Sequence, residues 1–169
     1  MPRPKPETDP DRRALMQRIG RRRTAPEELV AGMLRVLGIS FRRNVRGLPG
    51  SPDFANRRRG FAIFVNGCYW HHHRGCSLAT IPKRNREFWL AKFRDNRRRD
   101  ARKIRALRTM GLKVAVIWQC EAADGPRLEA RLRRFFSRLG RTVPRRARRS
   151  DGSAGRGGRS NRARGPDRR

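Results

Sequence analysis

FAIFVNGCYWHHHRGC, residues Phe61 to Cys76, decides the fold. It opens on five consecutive apolar residues, long enough for a buried strand over Phe61 to Asn66 and too short for a helix. The ten residues that follow hold every histidine of the chain and two of its three cysteines. A second apolar run, Leu112 to Trp118, ends two residues before the third cysteine, Cys120. A helical stretch, Glu87 to Met110, lies between the runs and is closed by Gly111. Two buried strands separated by a helix form a crossover unit, which predicts a parallel pair. Their carboxyl ends then lie side by side, and Cys68 meets Cys120.

That meeting point has metal-ligand character. Cys68, His73 and Cys76 are spaced C-x4-H-x2-C, and Cys120 follows 44 residues later. Three thiolates and an imidazole suit tetrahedral Zn2+, and four protein ligands leave no open position for catalysis. The expected site is structural, stapling a loop to the sheet. The competing reading is three buried, unligated thiols. Spacing favours His73 over His72 as the fourth ligand.

The other elements follow from punctuation. Thr24-Ala-Pro-Glu27 starts a helix as a capping box, with Leu29, Val30, Met33, Leu34 and Leu37 at helical spacing and Gly38 at the end. Ser40 to Val45 reads as a strand. Leu48-Pro-Gly-Ser-Pro52 is a turn that delivers Asp53. Leu128, Leu132, Phe135, Phe136 and Leu139 form a last amphipathic helix. The order is helix, three strands, helix, strand, helix. This is an α/β chain with a central mixed sheet flanked by helices.

Composition sets the partner. The 169-residue chain carries a formal charge of +31, from 45 basic and 14 acidic residues. Only five of the basic residues are lysine. Such a charge points to a polyanion, since each neutralised phosphate releases counterions. Coding bias toward arginine is the bland alternative. Residues 1–12 read as a flexible arm, 13–140 as the folded domain, and 141–169 as a disordered Arg/Gly-rich basic tail. The tail has eleven Arg against two Asp, a local charge of +9. No apolar run approaches the roughly 20 residues of a spanning helix, and the first residues have no secretory h-region. An odd cysteine count without a disulfide framework fits a reducing cytoplasm.

Few carboxylates remain to do chemistry. Asp53 follows a rigid turn and precedes a buried strand, so it suits a hard cation such as Mg2+; it is equally placed to be a turn former. Asp100 can orient His71 as a base or pair with Lys103 at i+3. Glu27 can cap its helix or reach the sheet edge. Tyr69, Trp70 and Trp89 beside basic residues suit stacking on bases, or core packing. Of Phe88 and Trp89, one faces away from the core.

Taken in order, LPGSPDF, IFVNGCYWHHHRGC, REFWLAKFRDNRRRD and VAVIWQC resemble the very-short-patch repair (Vsr) mismatch endonucleases. The resemblance runs from about Arg13 to Glu121. It implies a restriction-endonuclease-like fold of the PD-(D/E)XK superfamily, and nicking of double-stranded DNA 5′ of the thymine in T:G mismatches. It further implies catalytic Mg2+, structural Zn2+, a monomer, and a cytoplasmic, nucleoid-associated enzyme. Position by position, the metal-binding aspartate falls on Asp53 and the carbonyl ligand on Val65. The general base falls on His71, its acidic partner on Asp100, and the N-terminal glutamate on Glu27. The zinc ligands fall on Cys68, His73, Cys76 and Cys120. The intercalating aromatics fall on Tyr69, Trp70 and Trp89, and a wedging methionine on Met16. Asn66 stands where the family has His, Gln119 where it has Glu, and one extra residue precedes Cys76. FAIFVN lacks the superfamily's acid-x-Lys pair; the resemblance has His71 supply the base instead. A zinc-stapled nucleic-acid binder without catalysis explains the charge and cysteines, but not the co-occurrence of Asp53, His71 and Asp100.

Overall fold

The structure, a computed structural model, describes residues 24–140. The arm, the basic tail and Met16 lie outside the described residues. The elements in chain order are α1 (Ala25–Val36), β1 (Arg42–Arg43), β2 (Phe54–Asn56), β3 (Phe61–Asn66), α2 (Arg86–Thr109), β4 (Lys113–Trp118), α3 (Gln119–Ala122) and α4 (Gly125–Ser137).

The four strands form one sheet in the order β1-β2-β3-β4. The first two pairings are antiparallel, while β3 and β4 run parallel with Asn66 opposite Trp118. The crossover unit is therefore as expected, with α2 as its connection. The sheet is mixed and covered on both faces. Alternation along β3 explains this, because successive side chains leave a strand on opposite sides. Phe61 and Ile63 join α1 and α4 in one core with Ala115, Ile117, Leu34 and Phe136. Ala62 turns the other way, to Leu107 of α2, Leu48, Ala55 and Leu112.

Two expectations need correction. The strand over Ser40 to Val45 shrinks to two residues, because Val45 onward bends into the turn. The helix start is not a reciprocal capping box. Thr24 makes no side-chain cap, and its hydroxyl instead donates to Glu27 Oε1 at 2.8 Å. The sequence reading also lacks α3, a single turn closed by Glu121 Oε2 accepting from the Trp118 amide at 3.0 Å.

The turn before Asp53 is built from its residues. The Ser51 amide donates to the Leu48 carbonyl at 2.9 Å, with Pro49 and Gly50 between them. Gly50 has φ +76°. Pro then Gly at these positions is the type II pattern, in which the third residue needs positive φ. The amides of Asn44 and Val45 donate to the carbonyls of Asp53 and Pro52, so the turn closes a hairpin and pins Asp53 against the sheet.

Phe136 is fully buried, with its ring 5.1 Å from Phe61 and 5.1 Å from Phe135, edge to face in both cases. Truncating a buried Phe removes its transfer energy and leaves a cavity. Phe136→Ala is expected to cost about 3–4 kcal/mol in denaturant unfolding. A cost under about 1 kcal/mol would show that α4 does not seal this core.

Candidate active site and metal centre

The functional side chains gather at one rim, where β3 and β4 end together. Cys68 lies two residues past β3, and Cys120 sits in the first turn of α3, directly after β4. The ligand atoms of Cys68, His73, Cys76 and Cys120 all lie within 4.8 Å of one another. His73 Nδ1 is 3.7 Å from Cys68 Sγ and 3.4 Å from Cys120 Sγ. Tetrahedral Zn–S and Zn–N bonds imply S···N separations of about 3.6 Å, so this set could hold a metal ion. Cys68 is completely buried, which pushes its thiol up to about 12, helped by the neighbouring sulfurs. The backbone amide of Leu78 holds Cys76 below the usual thiol range. Sulfurs this crowded ionise together only beside a cation, which is what a metal would supply.

Three consecutive histidines go three ways. His73 stacks on Trp118 at 4.1 Å, with rings 9° from parallel, and turns Nδ1 to the sulfurs. His72 has φ +48° and stacks on Phe93 at 4.8 Å. A left-handed non-glycine residue costs roughly 1–2 kcal/mol, and the reversal sends its neighbours to different sides. His71 Nδ1 meets Asp100 Oδ2 at 2.5 Å. Gln119 accepts from the Cys68 amide at 3.4 Å through Oε1 and so ties α3 to the loop.

Asp100 contacts both His71 and Lys103, its other oxygen lying 3.4 Å from Lys103 Nζ. Burial pushes its carboxyl up. The hydrogen bond and charge of His71, with Lys103, more than offset this, and the group lies below the usual carboxylate range. Asp53 goes the other way. Its Oδ2 accepts from the Val65 amide at 2.7 Å, extending the ladder beyond β2. Burial raises its pKa to about 6; the nearby Glu27 charge adds to the rise, while the Val65 amide and Lys103 oppose it. Glu27 is 7% exposed and is the only buried charged residue among the described ones. Contacts join Asp53 to Val65 and His71 to Asp100, and Glu27 and Lys103 lie within electrostatic range of Asp53.

The aromatics form one cluster, with Tyr69 at 5.2 Å from Trp70, 5.5 Å from Trp89 and 6.1 Å from Phe93. Tyr69 and Trp70 are half-buried. Trp89, read from sequence as suited to stacking on bases, is only 9% exposed and backs the other two rings. Phe88 is the outward member of its pair. The reason is helical phase: Trp89 and Phe93, four apart, share the face that meets Tyr69. Two residues absent from the sequence reading complete the cluster. Asn96 donates to the Trp70 carbonyl at 2.7 Å, and the Lys92 ammonium sits 4.9 Å from the Trp89 ring centre. Their i+3 and i+7 spacing from Trp89 was the available signal.

The Asp53 environment gives a pH signature. The native carboxyl holds its proton up to about pH 6, the unfolded one only to about 3.9. Between those values the native state binds more protons, so stability falls as pH rises and the penalty is complete above pH 6. Without divalent cations, Asp53→Asn is expected to melt above wild type at neutral pH, by up to roughly 3 kcal/mol. The gap should close below about pH 4. A gap of the same size in acid would place its origin elsewhere.

The sequence profile described as DNA mismatch endonuclease Vsr matches residues 7–77. The type II nicking enzyme V.XorIIP of Xanthomonas oryzae pv. oryzae is 45% identical over 125 residues, covering 74% of this chain and 91% of the relative. The DNA mismatch endonuclease Vsr of Escherichia coli is 41% identical over 105 residues, covering 62% and 67%. The type II nicking enzyme V.NmeAIP of Neisseria meningitidis is 35% identical over 132 residues, covering 78% and 94%. With the rim geometry and these relatives in agreement, the chain belongs to the Vsr family of DNA endonucleases.

Proposed function

We propose that this protein nicks double-stranded DNA on the 5′ side of the thymine of a T:G mismatch, the lesion left by deamination of 5-methylcytosine. The observation that carries the reading is the 2.5 Å pairing of His71 with Asp100 beside the Asp53–Val65 contact. The name of the Escherichia coli relative supports the mismatch; the other relatives' names support nicking.

On this reading Asp53 and the Val65 carbonyl hold Mg2+. N–H and C=O of one strand residue leave on the same edge, so that carbonyl faces the side on which the Val65 amide meets Asp53. When bound, the ion stabilises charge on the scissile phosphate and on the leaving 3′-oxygen. Asp100 holds the imidazole proton on Nδ1, which leaves Nε2 to take a proton from the attacking water. Glu27 adds negative charge behind Asp53 and strengthens the site's demand for a cation. The products are a 3′-hydroxyl and a 5′-phosphate. Zn2+ on Cys68, His73, Cys76 and Cys120 has a structural role, holding the loop that carries His71. Tyr69 and Trp70, with Trp89 moving outward behind them, open the stack beside the mismatch. A wobble pair resists this less than a Watson–Crick pair, which gives selectivity. We extend the fold assignment to the PD-(D/E)XK superfamily on the placement of Asp53 directly before a sheet strand. The enzyme acts as a monomer, with the basic tail adding sequence-independent affinity.

The test is a strand-specific nicking assay on end-labelled duplexes with Mg2+. Wild type is expected to cut the T:G strand and to spare the matched duplex. Asp53→Ala should fall to background with DNA affinity retained. His71→Ala should lose about 10²–10⁴-fold in rate. Binding without cutting on every mismatch, by wild type and variants alike, would convert the protein to a zinc-stapled DNA binder. Cutting of other mismatches or intact duplex at equal rates would give it another target.

A further inference from the structure

Helix α2 poses a mechanical problem. It carries Asp100, yet no side chain from Arg94 to Ala106 is fully buried. Its apolar anchors are Trp89, Ala91 and Phe93 at one end and Leu107 at the other. Core packing therefore does not fix the height of Asp100 over His71 to the tolerance that a base–carboxylate pair needs.

Lys103 lies where such a fix is required. Its ammonium is 3.4 Å from Asp100 Oδ1, opposite the oxygen that meets His71. Its stem crosses the backbone of the Asp53 turn at Gly50. A methyl group on Gly50 would sit 2.5 Å from Lys103 Cδ and 2.7 Å from Cγ. Gly50 is thus needed twice, for its positive φ and for the room it leaves the lysine. Lys103 also lies within electrostatic range of Asp53. One side chain spans the turn that presents Asp53 and the helix that presents Asp100.

We propose that Lys103 is a positioning residue of the nicking reaction. Its stem, seated on Gly50, sets the height of α2 over the turn. Its ammonium holds Asp100 Oδ1, which commits Oδ2 to His71 Nδ1. The inference rests on the proposed role of His71 as base. It concerns alignment, not DNA affinity, because Lys103 is 39% exposed and its charge is already directed at Asp100.

The experiment compares Lys103→Ala, Lys103→Met and Lys103→Arg with wild type in single-turnover nicking of a T:G duplex, with duplex Kd measured at matched salt. Lys103→Ala is expected to lose about tenfold or more in rate, with Kd within about threefold, as for loss of at most one phosphate contact. Lys103→Met keeps the stem and should lose less, and Lys103→Arg should restore most of the rate. A merely structural residue would lower melting temperature without this ordering. Independently of activity, proton NMR should show a downfield His71 Nδ1 proton in wild type that exchanges faster in Lys103→Ala. A Lys103→Ala rate within twofold of wild type, or a loss confined to Kd, overturns the proposal. If Lys103→Ala does not fold, the same criterion applies to Lys103→Met. If wild type cuts nothing, the nicking reading and any part of Lys103 in it fail together, and the NMR comparison alone decides whether Lys103 holds Asp100 on His71.

Discussion

The convergence of three sulfurs and one imidazole at the rim of the sheet is the constraint from which the rest follows. The parallel pairing of β3 with β4 brings Cys68 and Cys120 to neighbouring strand ends, and the loop from Gly67 to Cys76 folds back so that His73 and Cys76 complete the set. Once His73 is committed to the sulfurs and His72 is reversed at φ +48°, His71 has one direction left, toward α2. The same loop holds Tyr69 and Trp70 against Trp89 and Phe93. A single four-point attachment thus orders both His71 and the aromatic cluster. The candidate metal ligands and the large rings therefore occupy one short segment.

Electrostatics work against the background charge. In a chain at +31, two carboxylates are set apart by their surroundings. Asp100 is held below the usual range by His71 and Lys103. Asp53 is partly buried, within electrostatic range of Glu27, and raised to about 6, an arrangement a divalent cation would relieve. One carboxylate is satisfied by the protein and the other is left demanding a cation. That division matches the proposed roles of orienter and metal ligand.

Much of this was legible in the residues. FAIFV and VAVIW specify the buried strands because nothing but apolar side chains fits a sheet covered on both faces. Cys68, His73, Cys76 and Cys120 were legible because all three cysteines are used at metal-ligand spacing. The Pro49-Gly50 turn announced itself through φ requirements alone. What escaped was set by tertiary packing. The two-residue length of β1 depends on where the chain leaves β2. The burial of Trp89 depends on the phase of α2 against the loop over residues 67–76, and no property of the dipeptide Phe88-Trp89 fixes that phase. Thr24 and Glu27 bond side chain to side chain, not through the backbone amides that a capping box uses. Lys103 looked like an ordinary i+3 partner of Asp100, and only its passage over Gly50 shows a second attachment.

The claim that the clamp orders the site is tested most directly by X-ray absorption at the zinc edge on protein purified without added metal. The account predicts one zinc per chain, with three sulfurs at about 2.3 Å and one nitrogen at about 2.0–2.1 Å. A metal-free protein that keeps the His71–Asp100 contact, or zinc in an oxygen-rich shell, would contradict it.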